Sequence, residues 1–228
     1  KKIVNSHNLP KKKLYIFTCN AWNDTIFKFW ISEKINSGSK LIYGQHGAGN
    51  GLVRKIFGDT HDRAISDKFI SWGQEYKLNQ NNIPGLVQSV IKNKKKSYFN
   101  TEQKNILIIS TVNDIYLYRN EVKNPNLLAD DLFYLNTFLA NLLKNFKDKL
   151  IFKIHPKEYK KSFSYQRYFE KKLNNLKIIS HQNDLEYLMK KSKLSVFLYL
   201  GSDFLKNLSI SRPSIAVLPK QIVHMLTP

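Results

Sequence analysis

Three short stretches hold residue types that could do chemistry together. The first is Gly44-Gln45-His46-Gly47-Ala48-Gly49-Asn50-Gly51, directly behind the apolar run 40–43. Alternating glycines after a strand let a ligand come close to the backbone. An imidazole ahead of them titrates near neutral pH, which suits a general base. A dinucleotide fingerprint would need G-x-G-x-x-G opening a helix, with an acid at the end of the next strand. Here Leu52 stands where the third glycine belongs, and Asp67 precedes its strand rather than following it. Two readings stay open: a plain turn with a hydrogen-bonded His46, or a loop of Gly47, Gly49, Gly51 and Asp67 that receives an acceptor or phosphate beside His46.

The second stretch, residues 152–159, carries His155-Pro156-Lys157, with Lys160 close behind. Proline ends the strand and leaves His155 at its tip. There it could hold a phosphate oxygen while the lysines neutralise charge, or simply bond a neighbouring carbonyl. The third is Gly201-Ser202-Asp203, a strand-to-helix turn. Gly201 is expected to make the turn and Ser202 or Asp203 to cap the helix, whose exposed N–H groups attract anions. Asp203 would repel a phosphate and fits better as a cap or as a contact to a sugar hydroxyl. An ordinary capped helix is the plainer alternative.

Other chemistries find less support. His61 with Asp59 and Asp62 is normal loop composition, so no metal centre is expected, and no cofactor. Walker A, G-x-S-x-G and H-E-x-x-H patterns do not occur, which disfavours the common NTPases, hydrolases and zincins.

The elements that position these residues read as alternating strands and helices. Residues 13–22 form a β-rich run, then Asn23 or Asp24 caps a helix to about Asn36, stopped by Ser37-Gly38. Residues 40–44 return as a strand, 47–66 read as a loop, 67–73 as a strand and 81–86 as a turn. Residues 93–104 are polar and charged without apolar periodicity and read as a linker. Beyond it, strands are expected at 105–111, 150–156, 176–180, 194–200 and 214–218. Helices are expected from Asn124-Pro125 through Phe146, then near 164–174, 184–191 and 202–210. Continuous apolar strands between helices imply a parallel sheet covered on both faces. Such sheets bind ligands outside the carboxyl ends of their strands. That rule selects Ser110-Thr111, His155 to Lys157, Ser180-His181-Gln182 and Gly201 to Asp203 in the second lobe, and His46 in the first.

Composition bounds the class. The chain has 228 residues, 42% of them apolar, enough for a packed core. Cys19 stands alone, so no disulfide framework is available and a reducing compartment is expected. No apolar run approaches the roughly 18–20 residues that span a bilayer. The net charge of +20 comes from 32 Lys against 5 Arg, beside 23 Asn. Arg would be the better fork for phosphates and bases, so the excess reads first as a compositional habit, then as attraction to an anionic membrane, and last as nucleic-acid binding.

Taken in order, the His-Gly loop, the His-Pro strand end and the turn 198–215 resemble GT-B-type transferases of bacterial surface polymers. The stretch from Gly44 to Gly73, with Ile65-Ser66-Asp67-Lys68-Phe69-Ile70-Ser71-Trp72-Gly73, is similar to a family of surface-carbohydrate transferases. More distantly the chain resembles the glycerophosphotransferases that use CDP-glycerol. The likeness runs from about Leu41 to Leu218. It implies an α/β, GT-B-like fold of two Rossmann-like lobes with parallel sheets: residues 1–92 as the C-terminal part of a truncated acceptor-side lobe, 93–104 as linker, and 105–228 as the donor-binding lobe. It implies His46 as general base and His155 and Ser202 as contacts to the donor phosphate, and the strand-tip rule adds Thr111, Lys157, Gly201 and Asp203 to the expected donor site. Similar sequences place a Glu on the helix after the turn, whereas this chain has Asp203 and Lys206.

The expected function is transfer of a sugar or polyol-phosphate group from a nucleotide-activated donor to a surface-polysaccharide or glycolipid acceptor. The enzyme would be cytoplasmic, in peripheral contact with the inner face of the membrane, and would bind no nucleic acid. Two rivals remain: a catalytically degenerate binding or scaffold subunit of an envelope-polymer complex, and a nucleotide-sugar epimerase.

Overall fold

The structure is a computed structural model and describes residues 12–18, 24–47, 57–72, 81–85, 103–110, 125–155, 164–173, 176–179, 184–218 and 223. The chain divides into two compact units, Lys1–Ile91 with Met225–Pro228, and Lys92–His224.

In the first unit the described strands are β1 (Leu14–Phe17), β2 (Lys40–Gly44), β3 (Lys68–Trp72) and β4 (Asn82–Gly85), all parallel and in that spatial order. Helix α1 (Thr25–Asn36) joins β1 to β2, and α2 (Phe57–Ile65) joins β2 to β3. Asp24 caps α1 by accepting from the Phe27 N–H at 2.9 Å. Gly38, at φ +88°, turns the chain where a side chain would be strained. Trp30 and Ile31 of α1 are buried with Tyr15, Leu41, Tyr43 and Phe69 of the strands. Edge-to-face pairs of Trp30 with Tyr15 (5.1 Å) and of Phe27 with Phe17 (4.8 Å) fix the helix on the sheet.

Two expectations fail here. Part of the predicted 47–66 loop is helix α2, although its residues are mostly polar. Tertiary contacts hold it: Asp62 is buried, and the Arg63 guanidinium lies 3.9 Å above the Phe69 ring while donating to Asn82 Oδ1. The predicted turn at 81–86 contains strand β4. Pro84 lacks an N–H, but β4 is the last strand in the described order, and an edge strand tolerates that loss.

The second unit contains β5 (Ile106–Ile109), α3 (Pro125–Phe146), a 3₁₀ turn (Lys147–Lys149), β6 (Leu150–Lys153), α4 (Tyr165–Lys172) and β7 (Lys177–Ile179). It continues with α5 (Leu185–Lys190), β8 (Leu194–Phe197), α6 (Ser202–Ser209) and β9 (Ser214–Ala216). Its described strands are parallel in the order β7-β6-β5-β8-β9. The first strand lies at the centre, and the chain builds outward to one side and then the other. This is the Rossmann order, whose switch point falls between β5 and β8. Side chains alternate between the two faces. Ile106, Ile108, Leu150, Phe152 and Val196 pack with α3 and α4, whereas Leu107, Ile109, Ile151 and Phe197 pack with α5 and α6.

Candidate functional site

In the first unit, β1 and β2 approach closely at their carboxyl ends. A Cβ built on Gly44 would stand 2.8 Å from Thr18 Cγ2, which explains glycine there without any appeal to turn geometry. Next comes Gln45, buried and used at both ends of its amide. Its Oε1 accepts from the Trp72 N–H at 2.7 Å, and its Nε2 donates to the Gly47 carbonyl at 2.8 Å. The side chain thus ties the end of β3 to the turn that follows His46. His46 itself is exposed, with Nδ1 3.0 Å from the Thr18 carbonyl. A carbonyl can only accept, so in the neutral ring Nδ1 carries the proton and Nε2 keeps a lone pair. That is the tautomer a general base needs.

Of the other residues placed with this loop, Gly47 is half-buried, and a Cβ there would meet open space. Gly49 and Gly51 lie outside the described residues. Asp67 requires a correction: it stands at the amino end of β3, away from the His46 tip. Its carboxylate accepts from Lys40 Nζ at 2.8 Å and from the Leu41 N–H at 2.9 Å. The Lys40 bond, then the Leu41 bond, hold that carboxyl below the usual range. Parallel strands put their first residues together, so an acid opening β3 meets the start of β2 rather than its end.

In the second unit, the tips of β6, β5 and β8 are neighbours. Ser110 is buried past β5, and its hydroxyl and N–H both donate to the Lys153 carbonyl, at 3.2 and 3.1 Å. His155 is half-buried two residues beyond β6. Thr111 and Lys157 lie outside the described residues, as do Ser180, His181 and Gln182. The turn after β8 also differs from expectation. Gly201 is the N-cap of α6, in extended backbone, and no side chain caps the helix among the described residues. Ser202 is the first helical residue and is exposed. Asp203 is not the cap. It accepts from the Tyr199 hydroxyl at 2.8 Å. Burial, and then the Asp203 charge, push that phenol far above its ordinary value, so it remains a donor. Gly201 is needed because the Tyr199 ring lies over it: a Cβ would fall 2.1 Å from Tyr199 Cε2.

Lys206 is engaged with Glu186 of α5 at 2.9 Å, and Lys190 bonds the same carboxylate. The Lys190 bond, then the Lys206 bond, hold the Glu186 carboxyl down to about 2. His61 Nδ1 lies 3.1 Å from Asp62 Oδ1 within α2, and no group of three or more His, Cys, Asp or Glu able to hold a metal occurs among the described residues. No helix among them is long and apolar enough to cross a membrane.

Two parallel α/β units with polar carboxyl edges define a GT-B-type fold. The crystal structure of MurG from Acinetobacter baumannii has the same fold, with a TM-score of 0.57 and 10% identity. The match covers 98% of this chain, which spans 56% of that one. No curated protein sequence matches. The chain belongs to the LIC12162 family of transferases, whose model matches residues 1–227.

Gln45 and a buried Lys153 lie at these strand ends and were passed over in the sequence. Each had a signal: a polar side chain directly behind an apolar strand, and a lone lysine in an otherwise apolar one.

Proposed function

We propose that this transferase moves a sugar or polyol-phosphate group from a nucleotide-activated donor to a surface-polysaccharide or glycolipid acceptor at the inner face of the membrane. The observation that carries the reading is the His46 ring, anchored through Nδ1 with Nε2 as the basic atom. In this mechanism Nε2 takes the proton of the acceptor hydroxyl as its oxygen attacks the donor. The bond between the transferred group and the nucleotide breaks, and negative charge departs on phosphate. General-base assistance of this kind contributes about 10²–10⁴-fold in rate.

Donor binding is assigned to the second unit. His155, Ser202 and the N–H groups opening α6 would contact the phosphates, with Thr111, Lys157 and Gly201 beside them. Asp203, oriented by Tyr199, would accept from a sugar hydroxyl. In the first unit, Gly47, Gly49 and Gly51 would let the acceptor approach the backbone.

The test pairs two variants in an assay with CDP-, CMP-, UDP- and GDP-linked donors. His46→Ala is expected to lose turnover by at least about a hundredfold with donor affinity retained. His155→Ala is expected to weaken donor binding. Unchanged turnover in both removes the mechanism. Lys206, which stands where the resemblance implies Glu and is engaged with Glu186, favours a second reading, a non-enzymatic binding subunit, because the helix offers no carboxylate at that position. Absence of calorimetric binding to every donor would support it. Donor conversion without acceptor would mark an epimerase instead.

A further inference from the structure

Lys153 is the last residue of β6 and is only 4% exposed. Strand register places it in one row across the second sheet with Ile179, Ile109, Phe197 and Ala216. Alternation puts this row on the face that packs with α5 and α6, where Ile109, Phe197, Ile179 and Ile151 form the core. Lys153 is the charged member of an otherwise apolar row. Desolvation draws its ammonium below the usual lysine value, so the fold gives up stability to keep a cation there. A Met or Leu would fit that row without this cost.

Its direction is informative. Nζ donates to the carbonyl of Ile154, the residue just past the strand, at 3.1 Å. The charged end therefore lies toward the carboxyl edge rather than down into the core. The same edge carries Ser110, bonded to the Lys153 carbonyl, and His155 two residues on. Helix α6 begins beyond β8 on that edge, with its positive dipole end. A buried cation, an imidazole and a helix start share one rim of one sheet.

We propose that Lys153 is an anion-binding residue of the second unit, which gives its ammonium to the diphosphate of a nucleotide donor. The inference rests on the proposed function in placing a nucleotide at this edge, and it adds a buried cation to the groups that would meet the phosphates. A stability penalty retained at a binding rim is the expected signature of such a residue.

The experiment measures, for the full chain, calorimetric affinity for CDP, UDP and GDP alongside the ligand-free melting temperature. Lys153→Met is expected to keep or raise the melting temperature while lowering affinity for the nucleotide that binds at least tenfold. Lys153→Arg, which keeps the charge, is expected to retain more of the original affinity than Lys153→Met. Equal binding by Lys153→Met and the parent chain overturns the assignment and leaves the His46 reading standing. A fall of several degrees in the ligand-free melting temperature of Lys153→Met would make the lysine structural and also overturn it. No binding of any of the three nucleotides by the parent chain removes both readings together.

Discussion

The two carboxyl edges are built in opposite ways. In the first unit the imidazole proposed as the base is exposed, and the bonds around it are uncharged: Thr18 carbonyl to His46, Gln45 amide to Trp72 and Gly47. In the second unit Lys153 is buried on the face that packs with α5 and α6, and a half-buried Tyr199 folds over Gly201 with Asp203 on its hydroxyl. A base that exchanges protons with an arriving hydroxyl needs access and a fixed tautomer. A phosphate site needs preset charge in a low-dielectric wall, where it acts most strongly. The contrast teaches that stability and activity should separate differently at the two edges.

Removing glycine at residue 201 should break the second edge most severely. Gly201→Ala drives a methyl into the Tyr199 ring, which should cost about 2–3 kcal/mol and displace Asp203. Chemical denaturation measures it, and Tyr199→Leu in the same chain should restore part of the loss. Full stability in the single variant would mean that the ring moves aside freely. At the first edge, Gln45→Ala strands two backbone groups and should cost about 1–2 kcal/mol. Turnover should fall while donor affinity stays the same, because the damage lies at the imidazole loop. A change confined to donor affinity would contradict the division of labour.

Glu186 gives the second unit a dependence on pH. Its folded value is lowered to about 2 from an ordinary 4.5, so it favours folding above 4.5 and this contribution disappears as pH falls toward 2. Solvent screening limits it to about 1 kcal/mol. Melting curves of Glu186→Gln and the parent chain should therefore differ at pH 6 and converge near pH 2. The smallest effect is the most diagnostic. Gly47→Ala meets open space and should change stability by less than about 0.5 kcal/mol. A drop in kcat/KM without loss of stability would mark a backbone that an acceptor approaches, and unchanged kinetics would mark a plain turn.

Much of the architecture was legible because it rests on period and punctuation. Asp24 and Gly38 bracket α1, Pro125 opens α3, and the apolar runs around β5, β6 and β8 required burial on both faces. What escaped depends on partners distant in sequence. Helix α2 is short and mostly polar, and Arg63 over Phe69 helps to hold it. Strand β4 contains a proline that only an edge position excuses. Asp67 looked like part of a loop until parallel register put it beside Leu41. Gly201 was assigned to turn geometry, whereas the constraint is the Tyr199 ring, 2.1 Å from where a Cβ would stand. Lys153 interrupts an apolar run in the sequence, and the row it shares across the sheet shows its setting.

The Gln45 bridge has one more consequence. A carboxamide neither gains nor loses a proton while proteins stay folded. Acid or alkali should therefore leave the scaffold around the His46 ring unaltered, and a bell or step in rate against pH would report proton occupancy of reacting groups instead of loosening of the loop. Had a glutamate stood at residue 45, the two events would be entangled in every titration.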